Sequence, residues 1–489
     1  MSQLHAVIMS ETKKTTGKYR WSICALLFFA TTINYLDRQV LSLTWSDFIA
    51  PEFHWTNNDY GNITALFSIF YAVSLLFAGR FVDWLDTKKG FLWAIGIWSF
   101  GACLHAFCGI ATAGYITGNW FIGFEVAKDA IHLIKDTGLV INVSVTLFIF
   151  ARFVLAIGEA GNFPAAIKTT AEYFPKKDRA FSTSIFNAGA TVGALAAPIS
   201  IPFIAKSFGW EMSFIIIGAL GFIWMGFWVF MYDKPEKHSK VSAAELEYIQ
   251  QDVIADSKLV GYVPETDAKV SFADCFKYKQ TWAFAFGKFM TDGVWWFFLF
   301  WTPAYLSSVY GMDSTQSALP LFVLYLITLL SIIGGWLPTY FVEKKGMNPY
   351  EGRMRAMLIF AFFPILALFA QPLGYISYWL PVIIIGISLA AHQSWSANIF
   401  TTVGDMFPKK AIATITGIGG LAGGVGSTII NKGSGLLFDY SKETNMSFMG
   451  FKGIEAGYFI IFSICAVCYL TGWCVMKALV PKYRPITDL

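Results

Sequence analysis

Charge is what this chain has least of. Asp, Glu, Lys and Arg make up 14% of its 489 residues, against roughly 25% in an ordinary soluble chain. A soluble protein of this length would divide into two or three domains and need far more charge to keep them dissolved. Cysteine is scarce as well. Of the seven, Cys24, Cys103, Cys108, Cys465, Cys468 and Cys474 lie in apolar runs and Cys275 in a polar segment. Cys465 and Cys468 have C-x-x-C spacing but no second pair and no nearby histidine, so they read as small apolar side chains in a buried helix. The sequence holds no metal motif, no G-x-S-x-G elbow and no phosphate loop, which leaves no enzyme chemistry, metal or cofactor to argue for. A net charge of +4 is too small and dispersed for a nucleic-acid surface. The polar, basic stretch Met1 to Arg20 lacks the apolar core and cleavage site of a signal peptide.

What is present is apolar surface: 56% hydrophobic residues and 18% aromatic ones. They fall into twelve runs of about 20 residues, each long enough to span a bilayer. These begin near Trp21, Tyr60, Phe91, Ser144, Phe181, Met212, Thr281, Ser317, Arg353, Tyr378, Ile412 and Gly453. Inside lipid the backbone must satisfy its own hydrogen bonds, so the runs predict helices. The fold class is all-α and integral to the membrane, with the lipid bilayer as its surroundings. Alternate connections hold 27 of the 36 lysines and arginines, the others hold six, and three lie within spans. The positive-inside rule then puts both termini in the cytoplasm.

Six spans, a lysine-bearing connection and six more spans predict an internal duplication. The turn "GRFVDWLDTKKG" after the second span is matched by "GGWLPTYFVEKKGMNPYEGR" after the eighth, as in two-bundle transporters. The predicted organisation is a tail at 1–20, a six-helix bundle at 21–232, a linker at 233–279, a second bundle at 280–480 and a tail at 481–489. "SAAE" from Ser242 to Glu245 is a capping box, predicting a short surface helix in the linker. The outer connection near 112–143 has the composition of a small amphipathic helix. Pro164, Pro198 and Pro303 predict kinks.

Charges within a span are costly and mark function by default. "INYLDRQVL" places Asp37 beside Arg38 in span one. "ARFVLAIGEAGNFPAA" places Arg152 and Glu159 two helical turns apart in span four, with Asn162 one turn further. Lys288 and Asp292 in span seven are four apart, able to pair with each other or to meet a solute. Structural pairing would hold helices together. Four ionisable groups within two spans exceed that need and predict a site. Arginine offers a permanent, planar fork for a carboxylate. A carboxyl in a cavity of low dielectric can gain and lose a proton near neutral pH. Protonating the acid frees the arginine for an anionic solute, which is symport in outline. Tyr71, Asn187, Trp295 with Trp296 and Trp301, and His392, Gln393 and Ser394 are candidates for holding hydroxyls, although tryptophans in spans commonly serve packing and interface belts.

The turn from Gly79 through Asp83 to Lys88 and Lys89 resembles the loop signature of the major facilitator superfamily, and the resemblance covers the whole chain. "NYLDR", "RFVLAIGEAGNFPA" and "HQSWSANIFTTVGDMFP" are similar to its anion:cation symporter family. "DGVWWFFLFWTPAYL" looks most like the bacterial hexuronate branch. The resemblance implies twelve transmembrane helices in two six-helix bundles. It implies substrate-carboxylate roles for Arg38 and Arg152, proton roles for Asp37 and Glu159, and, by position, a substrate role for Tyr71. It further implies a monomer in the inner membrane of a bacterium. The expected function is proton-coupled uptake of a sugar acid, a hexuronate such as galacturonate or glucuronate. The alternatives are another organic anion on the same fold, or a transporter-like sensor that binds without transport.

Overall fold

Backbone polar groups that cannot reach water must pair within their own segment, and the described chain is accordingly helical almost throughout. The computed structural model describes residues 17–251, 270–486 and 489. The tail before residue 17, the middle of the linker with Lys258 and Lys269, and residues 487–488 lie outside the described residues.

Twelve long helical segments follow one another: α1 (Tyr19–Thr44), α2 (Asn57–Leu85), α3 (Thr87–Ala106), α4 (Thr137–Tyr173), α5 (Lys176–Phe208), α6 (Trp210–Met231), α7 (Lys279–Tyr310), α8 (Ala318–Lys345), α9 (Pro349–Gly374), α10 (Trp379–Met406), α11 (Lys409–Glu443) and α12 (Ile454–Leu479). They start within a few residues of the apolar runs. The exception is α4, whose helix begins seven residues earlier than Ser144. Nine are long and apolar enough among the described residues to cross a membrane, and ten if α3 is joined to Cys108–Thr117 across a 54° bend. The two that fall short, α1 and α7, carry Asp37, Arg38, Lys288 and Asp292. These charged residues lower the apolarity of both helices.

Several helices are broken where the sequence breaks them. In α4 the ladder stops at Glu159 and resumes at Asn162, with Pro164 unable to donate to the carbonyl four residues back. By contrast, α5 runs without interruption through Pro198 and Pro202, and α7 through Pro303. Short 3-10 turns interrupt α8 at Thr328–Ile332 and α9 at Phe363–Phe369. The connection after α3 contains the helix Phe124–Leu133, which buries Ala127 and Ile131 against the molecule.

In the first half α1 packs on α5, α3 on α4 and α6, and α2 on α4; in the second, α7 packs on α11 and α12, and α10 on α8 and α9. Small residues set the closest approaches. A Cβ on Gly189 would sit 2.3 Å from the Phe28 carbonyl oxygen, and one on Gly193 2.4 Å from that of Thr32, so α1 and α5 touch backbone to backbone.

The halves meet through α2 on α11 and α5 on α8, mostly toward the face opposite the chain termini. There the Asp439 carboxylate accepts from the Asn57 N–H (3.0 Å) and the Asn58 N–H (2.7 Å) at the start of α2. Lys432 donates to the side-chain oxygens of Asn58 and Asn62. The Tyr60 hydroxyl donates to the Phe300 carbonyl (2.9 Å). Among the described residues, no hydrogen bond or ion pair between the halves lies nearer the terminal face than Ser68 to Ser427 (3.0 Å). The structure is thus the state sealed at the opposite face.

In the linker, Ser242 caps the helix Ala243–Ile249 by accepting from the Glu245 N–H (3.2 Å). The Glu245 carboxylate does not complete the capping box. It turns to the start of α1, where the Tyr19 and Arg20 amides (3.2 and 3.1 Å) and the Arg20 guanidinium (3.2 Å) donate to it. Two orphan amides of a second helix and a cation outbid one local amide.

Gly193→Val should lower the thermal unfolding midpoint in detergent, at a cost of about 1–3 kcal/mol or more, because its Cβ meets backbone that cannot rotate away. An unchanged midpoint would show that α1 and α5 can separate freely.

Candidate functional site

An arginine in the middle of a bundle must find an anion. The Arg38 guanidinium on α1 donates through Nε (3.0 Å) and Nη2 (2.8 Å) to Oε2 of Glu159 on α4. The break in α4 leaves Glu159 at the last helical position before Gly161. Arg38 is 3% exposed and Glu159 1%, so the pair is sealed from bulk water.

Three aromatic rings enclose the same guanidinium: Tyr35 at 5.1 Å, Tyr71 of α2 at 4.8 Å and Trp296 of α7 at 4.9 Å. Such contacts favour a partly desolvated cation. Trp296 belongs to the second half, so Arg38 touches both halves at once. Arg152 lies a little further along α4 with its guanidinium 5.1 Å over Phe67, and its Nη1 has no hydrogen-bond partner among the described residues. Asp37 is 2% exposed, and neither of its carboxylate oxygens is bonded among the described residues. It faces α3, within electrostatic reach of Cys103 as well as of Glu159 and Arg152. Asn162 is likewise buried with its amide unbonded.

The structure brings Asp37, Arg38, Tyr71, Arg152 and Glu159 into one neighbourhood. A second group lies in the other half. Lys288 and Asp292 pair at 2.7 Å. His392 stacks on Trp295 (5.1 Å between ring centres) and shares a 2.7 Å hydrogen bond between Nδ1 and the Tyr469 hydroxyl. Ser394 is elsewhere: its hydroxyl donates to the carbonyls of Ala390 and Ser331 (2.9 and 3.3 Å), against Gly334 of α8. Gln393 is half-buried and Asn187 exposed on α5; neither side chain is hydrogen-bonded among the described residues. Tyr35, Phe67 and Tyr469 were not singled out from the sequence. One more aromatic in an apolar span carries no signal of its own.

The turn between α2 and α3 is a separate construction at the terminal face. Asp83 pairs with Lys168 of α4 (2.8 Å) and Lys88 with Asp233 (2.8 Å) just past α6, while Lys89 is exposed. Nothing lies within 4 Å of a Cβ placed on Gly79. Asp86 adopts a positive φ of 70° and caps α3 through the Thr87 N–H (2.9 Å). Slight burial pushes its carboxyl up, but that N–H and the Lys234 ammonium (3.2 Å) hold it below the usual carboxylate range. The turn clasps the ends of α2, α3, α4 and α6 into one unit.

A family profile described as Major Facilitator Superfamily matches residues 27–430. The chain belongs to the major facilitator superfamily. It is therefore an integral membrane transporter and not an enzyme. It is 27% identical over 467 residues to a "Hexuronate transporter" of Escherichia coli (strain K12), covering 94% of each chain. It is 24% identical to a "Probable galactarate/D-glucarate transporter GarP" of the same organism, covering 94% of this chain and 96% of that one. Among solved structures it superposes on an inward-facing bacterial homologue of the human lysosomal transporter Spinster with a TM-score of 0.68 at 16% identity, over 96% of this chain and all of that one. At that identity the likeness concerns the fold, which is the superfamily's twelve helices in two six-helix bundles.

Glu159→Ala should cost about 3–5 kcal/mol of stability by leaving the Arg38 charge buried without its partner. The double variant Arg38→Met with Glu159→Leu should cost less than either single change. Thermal unfolding in detergent checks both, and additive losses would mean that the two side chains are not coupled.

Proposed function

We propose that this superfamily member carries a sugar acid across the membrane together with protons, and that the exchange of Arg38 between Glu159 and the solute carboxylate is the coupling step. The observation that carries this reading is the buried Arg38–Glu159 pair with Trp296 of the opposite half against it. The named relatives, a hexuronate and a galactarate/D-glucarate transporter, support an anionic sugar derivative as the solute.

The chemistry follows from the ion pair. While Glu159 is ionised it occupies the guanidinium fork. A proton on Glu159 removes the charge that holds Arg38, and the fork turns to the solute carboxylate, to which it can donate in bidentate fashion. Tyr71 and Trp296 present flat faces beside the fork and fit the apolar face of a sugar ring. Arg152 adds a second positive charge nearby, and Asp37 a second carboxyl for the proton to visit. Because Trp296 rides on the second half, solute held between Arg38 and Trp296 draws the halves together. Solute and proton enter while α2 and α11 are parted at the opposite face, with Asp439 and Lys432 released, and re-forming those bonds then leaves the site open only toward the terminal side. Loss of the proton restores the Arg38–Glu159 pair and expels the solute, since one guanidinium cannot serve both carboxylates. On the positive-inside reading the termini are cytoplasmic and the direction is uptake.

Uptake of labelled hexuronate into proteoliposomes under an imposed pH gradient tests this. Glu159→Gln should abolish pH-driven accumulation while retaining solute exchange at equal pH. Arg38→Ala should reduce both by at least about a hundredfold, the scale of a lost charged hydrogen-bond pair in a dry site. Full pH-driven accumulation by Glu159→Gln would remove Glu159 from coupling.

A further inference from the structure

The second half carries a buried cation that the Arg38 exchange does not use. Lys288 is 4% exposed within α7, and its Nζ sits 2.7 Å from Asp292 and 4.3 Å from the Phe400 ring. α11 offers Gly423, where a Cβ would fall 2.2 Å from the Asp292 carboxylate, so no side chain stands there. α10 offers Phe400 and His392, and the His392 Nδ1 is already engaged by Tyr469 of α12. α12 offers Tyr469, within electrostatic reach of Asp292, and among the described residues the Asp292 Oδ1 has no hydrogen-bond partner. Both members of the pair stand one turn apart on one helix. Lys288 can therefore swing away on its flexible stem without any helix moving.

We propose that Lys288, released from Asp292, is a second carboxylate-binding group, and that the site is built for a sugar acid with a carboxylate at each end. This rests on the function proposed above. Spacing supports it. Trp296 touches the Arg38 guanidinium, and Lys288 lies eight residues earlier on the same helix, about 12 Å along its axis. An extended six-carbon chain spans about 6 Å, at some 3.6 Å for every three backbone bonds. A charged hydrogen bond of about 2.8 Å at each end brings the reach to about 12 Å, comparable with the rise of α7 between Lys288 and Trp296.

Charge balance supports it too. Each pair is neutral when closed. If Arg38 and Lys288 each turn to a solute carboxylate, Glu159 and Asp292 each take up one proton from the aqueous side, and the loaded site stays neutral. A diacid thus travels with two protons. A monoacid engages the Arg38 pair alone and travels with one.

The test is uptake by the full chain in proteoliposomes under an imposed pH gradient, with a labelled hexuronate and a labelled six-carbon sugar diacid, and a trapped pH dye to count protons. The wild type should take up both, with one and two protons per solute. Lys288→Gln with Asp292→Asn, which keeps the shapes and removes both charges, should lower kcat/KM for the diacid at least tenfold more than for the hexuronate. Lys288→Arg should keep the diacid preference. Uptake of the hexuronate without the diacid, equal proton counts, or equal losses for both solutes would overturn this inference and leave the proposed function standing. Uptake of neither acid would overturn both. If the double variant does not fold, the wild-type proton counts and Lys288→Arg still decide the matter.

Discussion

A guanidinium and a carboxylate held out of water at 2.8 Å organise the rest of this molecule. Neither charge could remain in a bilayer alone. Each is tolerable because the other is present, and the pair joins α1 to α4 at mid-depth. The same low dielectric that makes the pair strong makes it sensitive, since one proton on Glu159 removes the attraction outright. In the proposed function, a binding cation stored in an internal pair makes the binding site and the coupling device the same atoms.

The surrounding construction keeps that pair movable. Helices within a half are locked by small residues, as where Gly189 and Gly193 bring α5 onto the backbone of α1, and by the clasp of Asp83, Lys88, Lys168 and Asp233 at the terminal face. The halves also meet at small residues, with Gly435 against the Asn57 carbonyl and Gly424 against Ala72, and add hydrogen bonds to side chains such as Lys432, Asp439 and Ser427 that water could replace. Rigid halves and a replaceable seam are what alternating access requires. Glu245 extends the same logic, fastening the linker helix to the start of α1.

Much of this was legible in residue order. Long apolar runs can only be helices in lipid, so twelve starts were readable to within a few residues, and the sole large shift, at α4, arises because the apolar run itself continues back through Val143, Ile141, Val140 and Leu139. Charged residues stood out because almost none were available elsewhere in the spans. Lys288 and Asp292 pair as four-residue spacing on a helix allows. Two side chains whose contacts residue order did not show share a cause. Ser394 looks equivalent to its neighbour His392, yet a rotation of 200° around the helix turns it onto α8. The capping-box acid Glu245 found a stronger partner far away in sequence.

By itself the sequence determined the medium, the helical architecture, the duplication and the short roster of charges that had to matter, because apolarity, periodicity and the cost of ionisation in lipid are local properties. Only the tertiary structure decided which charges meet. Arg38 had two acids near enough to choose between, and Arg152 to compete for them; three-dimensional packing gave it Glu159 while leaving both oxygens of Asp37 without a bond among the described residues. Only the fold could show that Trp296, from the other half of the chain, closes over that guanidinium. Contacts between residues hundreds of positions apart depend on how helices cross, and crossing is fixed by many weak packing choices that no single stretch of sequence displays.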